Sequence, residues 1–89
     1  MEAVLELEET ETCQARIAAV LLIPEFRRLA RIYARKEPEF QEDLVQILCL
    51  ETLLAADLHS MAFYCNNARW KAADVMRQRR LEALLMRWR

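Results

Sequence analysis

The side chains able to do chemistry are few, and their spacing suits little of it. His59 is the single histidine, so no second imidazole completes an HExxH pair or a paired-histidine zinc site. Cys13, Cys49 and Cys65 make no CxxC spacing and no even disulfide set. Cys65 follows His59 by six residues, which on a helix sets the two nearly opposite and ill placed to share a metal. A Cys–His nucleophile would draw on Cys13 or Cys49, and nothing in their spacing singles either out. Glu51 and Asp57 bracket the run Leu53–Ala56 and read as the least buried edge of a helix, not as an acid–base pair. Glycine is absent, which removes every Gly-rich phosphate loop and dinucleotide fingerprint. No cofactor or metal is implied, and catalysis is not expected.

Two basic groups remain. Arg27, Arg31 and Arg35 recur every four residues, and like charges at that spacing cost a helix about 0.2–0.5 kcal/mol per pair. Acidic groups should offset them, and Glu39, Glu42 and Asp43 are the nearest candidates. An acidic protein surface, or phosphate or nucleic acid, is the alternative partner for the stripe. The second group, Arg69, Lys71, Arg77, Arg79 and Arg80, continues to Arg87 and Arg89 and interleaves with Trp70 and Trp88. Arginine beside aromatic rings suits nucleic-acid backbones and stacked bases. Trp and Arg are equally the residues enriched at protein interfaces, and Asp74 and Glu82 lie at helical distance to pair locally.

Tyr64, Ala68, Trp70 and Ala73 stand at spacings that resemble the turn between the two helices of a tetratricopeptide repeat. The likeness covers about 20 residues and implies peptide or partner binding. Ala68 takes the place of the usual turn glycine, Arg77 and Arg80 stand where that family has apolar residues, and no closing proline follows. Four positions do not establish membership.

The elements that must hold these groups are helical. With 89 residues, no glycine and two prolines, the chain is one small domain poor in the residues of tight β-turns. Hydrophobic residues make up 55% and charged ones 30%, a balance that opposes disorder. The net charge of −1 conceals alternating blocks: acidic over residues 1–13, basic over 14–36, acidic over 37–58 and basic over 59–89. Such blocks suit helices that neutralise one another. A pI near 5.8 disfavours a free-standing nucleic-acid binder, which is more often basic overall.

Pro24-Glu25-Phe26 and Pro38-Glu39-Phe40 each read as a helix start, with proline at the first position and glutamate at the positive end of the dipole. The spacing predicts an all-α bundle of four helices over 12–22, 24–36, 38–65 and 68–89. Cys13, Ile17, Val20 and Leu21 form the stripe of the first, and Phe26, Leu29, Ala30 and Tyr33 that of the second. Pro24 either kinks one long helix or separates two. Residues Met1–Glu11 extend the first helix or pack as a turn through Val4, Leu5 and Leu7. The third helix is apolar nearly all round from Val45 to Cys65 and needs enclosure on most sides. Asn66-Asn67 is the expected break, and Leu81, Leu84, Leu85 and Trp88 are the clearest stripe of the fourth helix.

These observations predict a non-enzymatic protein–protein interaction module: a small adaptor, chaperone-like subunit or inhibitor. It would bind another protein chain, or a second copy of itself, through an apolar helix face flanked by arginines. The anchors are Leu53, Leu81, Leu85 and Trp88, with Arg27, Arg31 and Arg35 steering. The alternative is a nucleic-acid-associated regulator using Arg69, Lys71, Arg77, Arg79 and Arg80. The lack of an even disulfide set, an acidic N-terminus and charges within the apolar run point to a cytoplasmic protein without a membrane span.

Overall fold

In the computed structural model, residues 12–88 are described. The expectations for Met1–Glu11 and Arg89 lie outside them. The described chain is all-α: four helices packed against one another, joined by one minimal two-stranded bridge. Helix α1 runs Ala15–Leu21, α2 Ile23–Tyr33, α3 Gln41–Leu54 and α4 Met61–Arg87. Thr12–Cys13 (β1) pairs antiparallel with His59–Ser60 (β2). The central helix α3 packs on α1, α2 and α4, while α2 also packs on α4.

Proline explains the first junction. Pro24 has no N–H to give the preceding turn, so α1 stops at Leu21 and α2 restarts at Ile23 with only Leu22 between. Leu22 N–H still donates to Ala18 O at 2.9 Å, and Leu22 O accepts from Phe26 N–H at 2.8 Å. Two helices therefore abut with one residue between them. The second proline opens a single 3₁₀ turn, Pro38–Phe40, that leads into α3. At that corner the Gln41 side chain donates to Ala34 O at 3.1 Å, satisfying one carbonyl at the end of α2.

Three sequence expectations are corrected. The predicted helix 38–65 is broken after Leu54, and the predicted break at Asn66-Asn67 lies inside α4. No glycine or proline makes the break; long-range hydrogen bonds do. Asp57 Oδ1 accepts from Ala15 N–H at 2.8 Å and so caps α1 from a distance. Leu58, at a positive φ of 65°, donates its N–H to Cys13 O at 3.1 Å. Ser60 then accepts from Phe63 N–H and starts α4 as its N-cap. Asparagine inside a helix costs less than about 0.7 kcal/mol relative to alanine. That is small beside the burial of Tyr64, Ala68 and Ala72 on the same helix.

The second correction concerns the tetratricopeptide-like spacing: Tyr64, Ala68, Trp70 and Ala73 all lie on one uninterrupted helix, so the turn it implied does not exist. The third concerns α1. Its predicted stripe faces out, with Ile17, Val20 and Leu21 all exposed, while Ala15, Ala18 and Ala19 are buried. Small side chains let α1 and α3 approach closely, and the larger residues are left on the outer side. Thr12 and Cys13, predicted as helical, form β1.

Tyr64 ties these parts together. It is fully buried, and its hydroxyl donates to Ala56 O at 2.8 Å and lies 3.2 Å from Cys13 O. Its ring meets His59 and Phe63 edge-on. Burial pushes the Tyr64 hydroxyl pKa up, which keeps it a donor. Replacing Tyr64 with Phe removes the donor that holds the Ala55–Leu58 loop. It should destabilise the protein by about 1–2 kcal/mol, read as a lower urea midpoint with unchanged slope.

Candidate partner-binding face

Helix α4 is divided along its length. Its buried residues are Met61, Tyr64, Ala68, Ala72 and Met76, and they stop there. Arg79 ties α4 to the bundle just beyond that point. Its Nη2 donates to Glu37 Oε1 at 2.7 Å, and its guanidinium lies 3.7 Å from the Phe40 ring centroid. From Arg80 to Trp88 every residue is exposed. A helix of 27 residues is about 40 Å long, and the molecule's long dimension is 49 Å, so the distal turns of α4 overhang the bundle.

The overhang carries large apolar side chains. Leu81, Leu84, Leu85 and Trp88 are 48%, 49%, 65% and 87% exposed. They fall at steps of three, one and three residues, which places them on one helix face. That face is not a continuation of the core seam. Residues nine apart are two and a half turns apart and point in opposite directions. Ala72 is buried and Leu81 exposed, Met76 buried and Leu85 exposed, Met61 buried and Trp70 exposed. The stripe is a second face, set on the far side of α4 from the core.

The predicted anchors are therefore not one cluster. Leu53 is half exposed, but it lies on α3 one turn from Leu50 and beside Leu54, which are also exposed. Lys71 Nζ sits 3.7 Å from Glu51 Oε2 and marks the level on α4 opposite that part of α3. Leu81 is ten residues and Trp88 seventeen residues beyond Lys71, about 15 and 26 Å along the axis. Leu81, Leu85 and Trp88 do come together, joined by Leu84, whereas Leu53 belongs to a separate exposed edge.

Arg27 and Arg31 are exposed along α2, Arg35 is exposed in the turn that follows it, and none makes an ion pair with a described residue. The expected acids do not neutralise them: Glu42 shares a shallow groove with Arg27 and Arg31 without pairing, and Glu39 and Asp43 form no ion pair among the described residues. On α2 the pair is Glu25 with Arg28 instead. The carboxylate of Glu25, mostly buried, accepts from Arg28 Nε and raises the arginine's already high pKa.

The five residues of the nucleic-acid alternative are partly occupied. Lys71 pairs with Glu51, Arg77 with Asp74 at 2.8 Å, and Arg79 with Glu37. At 100° per residue Arg69 and Arg80 share one side of α4, Lys71 and Arg79 lie on others, and Arg77 is near the leucine stripe. They form no continuous basic strip. Arg35, Lys36 and Arg80 do converge on an open groove of about 430 Å³ between α2 and α4, with Tyr33 and Met76 in its lining.

Of the residues weighed for chemistry, Cys13 and His59 are brought together: they face each other across the β1–β2 bridge, with Cys13 Sγ 3.6 Å from His59 O. Burial pushes the Cys49 and Cys65 thiols up, away from the thiolate form. His59 stacks on Phe63 at 3.9 Å. Glu51 and Asp57, read from sequence as a helix edge, are respectively an ion-pair partner and a cap. Among the described residues no group of three or more His, Cys, Asp or Glu is placed to hold a metal ion, and no helix is long and apolar enough to cross a membrane. Sequence reading missed the outward face of α1, where Ile17, Val20 and Leu21 line an apolar groove with Gln14 and Arg16. The signal lies in its alanines, whose size suits a close helix contact better than an outer surface.

Among known proteins, no family model, curated protein or solved structure matches this chain.

The Arg79–Glu37 contact gives a pH test. The hydrogen bond from Arg79 holds the Glu37 carboxyl below its usual range. A lowered folded pKa supplies stability that is present above the unfolded pKa, near 4.3, and lost as pH falls through the folded one. The urea midpoint of Glu37→Gln should lie below wild type at pH 7, and the gap should close toward pH 3.

Proposed function

We propose that this protein is a non-enzymatic interaction module whose working surface is the outward stripe of α4. One observation carries the reading: beyond Met76, the last core residue, the helix continues for three turns and bares Leu81, Leu84, Leu85 and Trp88 together. Exposed apolar residues scattered singly are ordinary on a protein surface, but a contiguous stripe on a projecting helix marks a binding face. An amphipathic helix engages a partner through anchors at such steps.

The arginines of α2 and of the turn after it supply the second part of the reading. Arg27, Arg31 and Arg35 carry a positive field with no ion pair to a described residue, and such a field accelerates encounter with an acidic surface more than it tightens the complex. The roles that fit are adaptor, chaperone-like subunit or inhibitor, acting by contact. The nucleic-acid reading has less support, because Lys71, Arg77 and Arg79 are already held by carboxylates.

Changing Leu81 and Leu85 to Lys keeps good helix formers and places positive charge near the negative end of the helix dipole. The folded state should therefore change by less than about 1 kcal/mol. Wild-type protein immobilised on resin should retain a binding protein that associates again when purified, and L81K/L85K should not. Equal retention by both forms would overturn the assignment of this face.

A further inference from the structure

The outer face of α4 extends beyond the leucine stripe. Phe63 and Leu81 are eighteen residues apart, and so are Trp70 and Trp88. Eighteen residues are five whole turns, so each pair shares one direction. Between them lie Asp74 and Arg77, an exposed ion pair on the same face, with side chains 44% and 65% accessible. Taken together the face steps by four and three residues from Phe63 to Trp88. That is the heptad spacing of a helix seam that meets another helix along its length.

The sequence on this seam selects its occupant. We propose, resting on the interaction-module reading, that the partner is a second copy of this chain, packed antiparallel along α4 about a two-fold axis between Asp74 and Arg77. In that register Asp74 faces the partner's Arg77 and Arg77 faces the partner's Asp74. The ion pair each copy closes on itself at 2.8 Å is matched twice across the axis. Moving outward, Trp70 meets the partner's Leu81 and Phe63 meets the partner's Trp88. The bare distal turns of each copy thereby cover the exposed indole of Trp70 on the other. Outside the axial ion pairs, Asn67 opposite the partner's Leu84 is the polar contact of the seam, and an amide facing an apolar side chain lowers affinity.

The flanking positions raise no obstacle. Lys71 comes beside the partner's Gln78, and Arg80 beside the partner's Ala73, so no like charges meet at the rim. A parallel dimer in register would instead stack Asp74 on Asp74 and Arg77 on Arg77, and such juxtapositions are unfavourable. Charge thus specifies the antiparallel arrangement over the parallel one.

Reciprocal charge reversal tests this. Wild type should sediment as a dimer at about 100 µM, and D74R or R77D alone should dissociate at least about tenfold more readily, because each puts two like-charged contacts at the axis. Mixing D74R with R77D should restore a heterodimer, since the first variant then carries arginine at both axial positions and the second carries aspartate at both. The double variant D74R/R77D should dimerise alone, which also shows that the reversals leave α4 folded. A wild type that stays monomeric at that concentration overturns the proposal, as does dimerisation unaffected by either single reversal, or a mixture that remains monomeric. Loss of the dimer with L81K/L85K-sensitive binding to a different protein would retire the second copy alone and leave the interaction-module reading standing. Loss of both would retire the two together.

Discussion

Close helix contact through alanine is the constraint on which the rest of this molecule depends. Ala15, Ala18 and Ala19 on α1, Ala30 and Ala34 at the end of α2, and Ala68 and Ala72 on α4 are all buried. A residue that small adds little transfer energy, roughly 0.8 kcal/mol per buried carbon at most, but it lets backbones approach until dispersion contacts are dense. The bulk of the core comes from a few large groups set between the alanines: Phe26, Leu29, Leu44, Leu48, Met61 and Tyr64. The consequence is geometric. The inner face of α1 is occupied by alanines and that of α4 by Met61, Tyr64, Ala68, Ala72 and Met76, while the leucine and isoleucine of α1 and the leucines and tryptophans of α4 lie on the outer faces. The exposed stripe is the reverse side of the packing solution.

The loop Ala55–Leu58 depends on the same arrangement. It carries neither glycine nor proline, so no local propensity bends it, and Leu58 sits at a positive φ that a leucine adopts only at a cost of order 1 kcal/mol. Asp57 capping α1, Leu58 bonding to Cys13, and Tyr64 bonding to Ala56 offset that cost. The first two span the gap between the start of α1 and the approach to α4, and the third ties the loop to α4 itself. The turn therefore forms with the tertiary structure, and the start of α4 is placed by contacts more than forty residues away in sequence.

That dependence explains which parts of the fold are legible in sequence. The all-α class follows from the absence of glycine and from apolar periodicity, and both prolines mark junctions within a few residues, because a missing N–H acts locally. The burial of Phe26, Leu29 and Ala30, with Arg27 and Arg31 outside, also follows from period alone. The end of α3 does not. Its apolar run continues through Leu58 to Cys65, and Asn66-Asn67 offers a more familiar stop. The competing signal is Asp57 and Ser60, two capping residue types three apart, and its meaning requires knowing that Ala15 lies within reach. The face of α1 misleads because counting larger apolar residues outweighs alanine, whereas close packing favours it. Leu81, Leu85 and Trp88 are legible as one stripe. Leu53, on α3, is not part of that stripe, and no periodicity within one helix could have joined or separated them.

The alternating charge blocks acquire a narrower meaning in three dimensions. Acidic residues 37–58 and basic residues 59–89 do meet, through Glu37 with Arg79 and Glu51 with Lys71, and these pairs fix where α4 lies along the bundle. Both are partly exposed, so each contributes little to stability and more to alignment. The other two pairs, Glu25 with Arg28 and Asp74 with Arg77, are local i,i+3 contacts within one helix. Arg27 and Arg31 on α2, and Arg35 just after it, have no such carboxylate among the described residues. Among the described residues, ion pairing thus holds α4 to the bundle as far as Arg79 and no further. The turns that follow are left as a helix whose own apolar face has no part in the core.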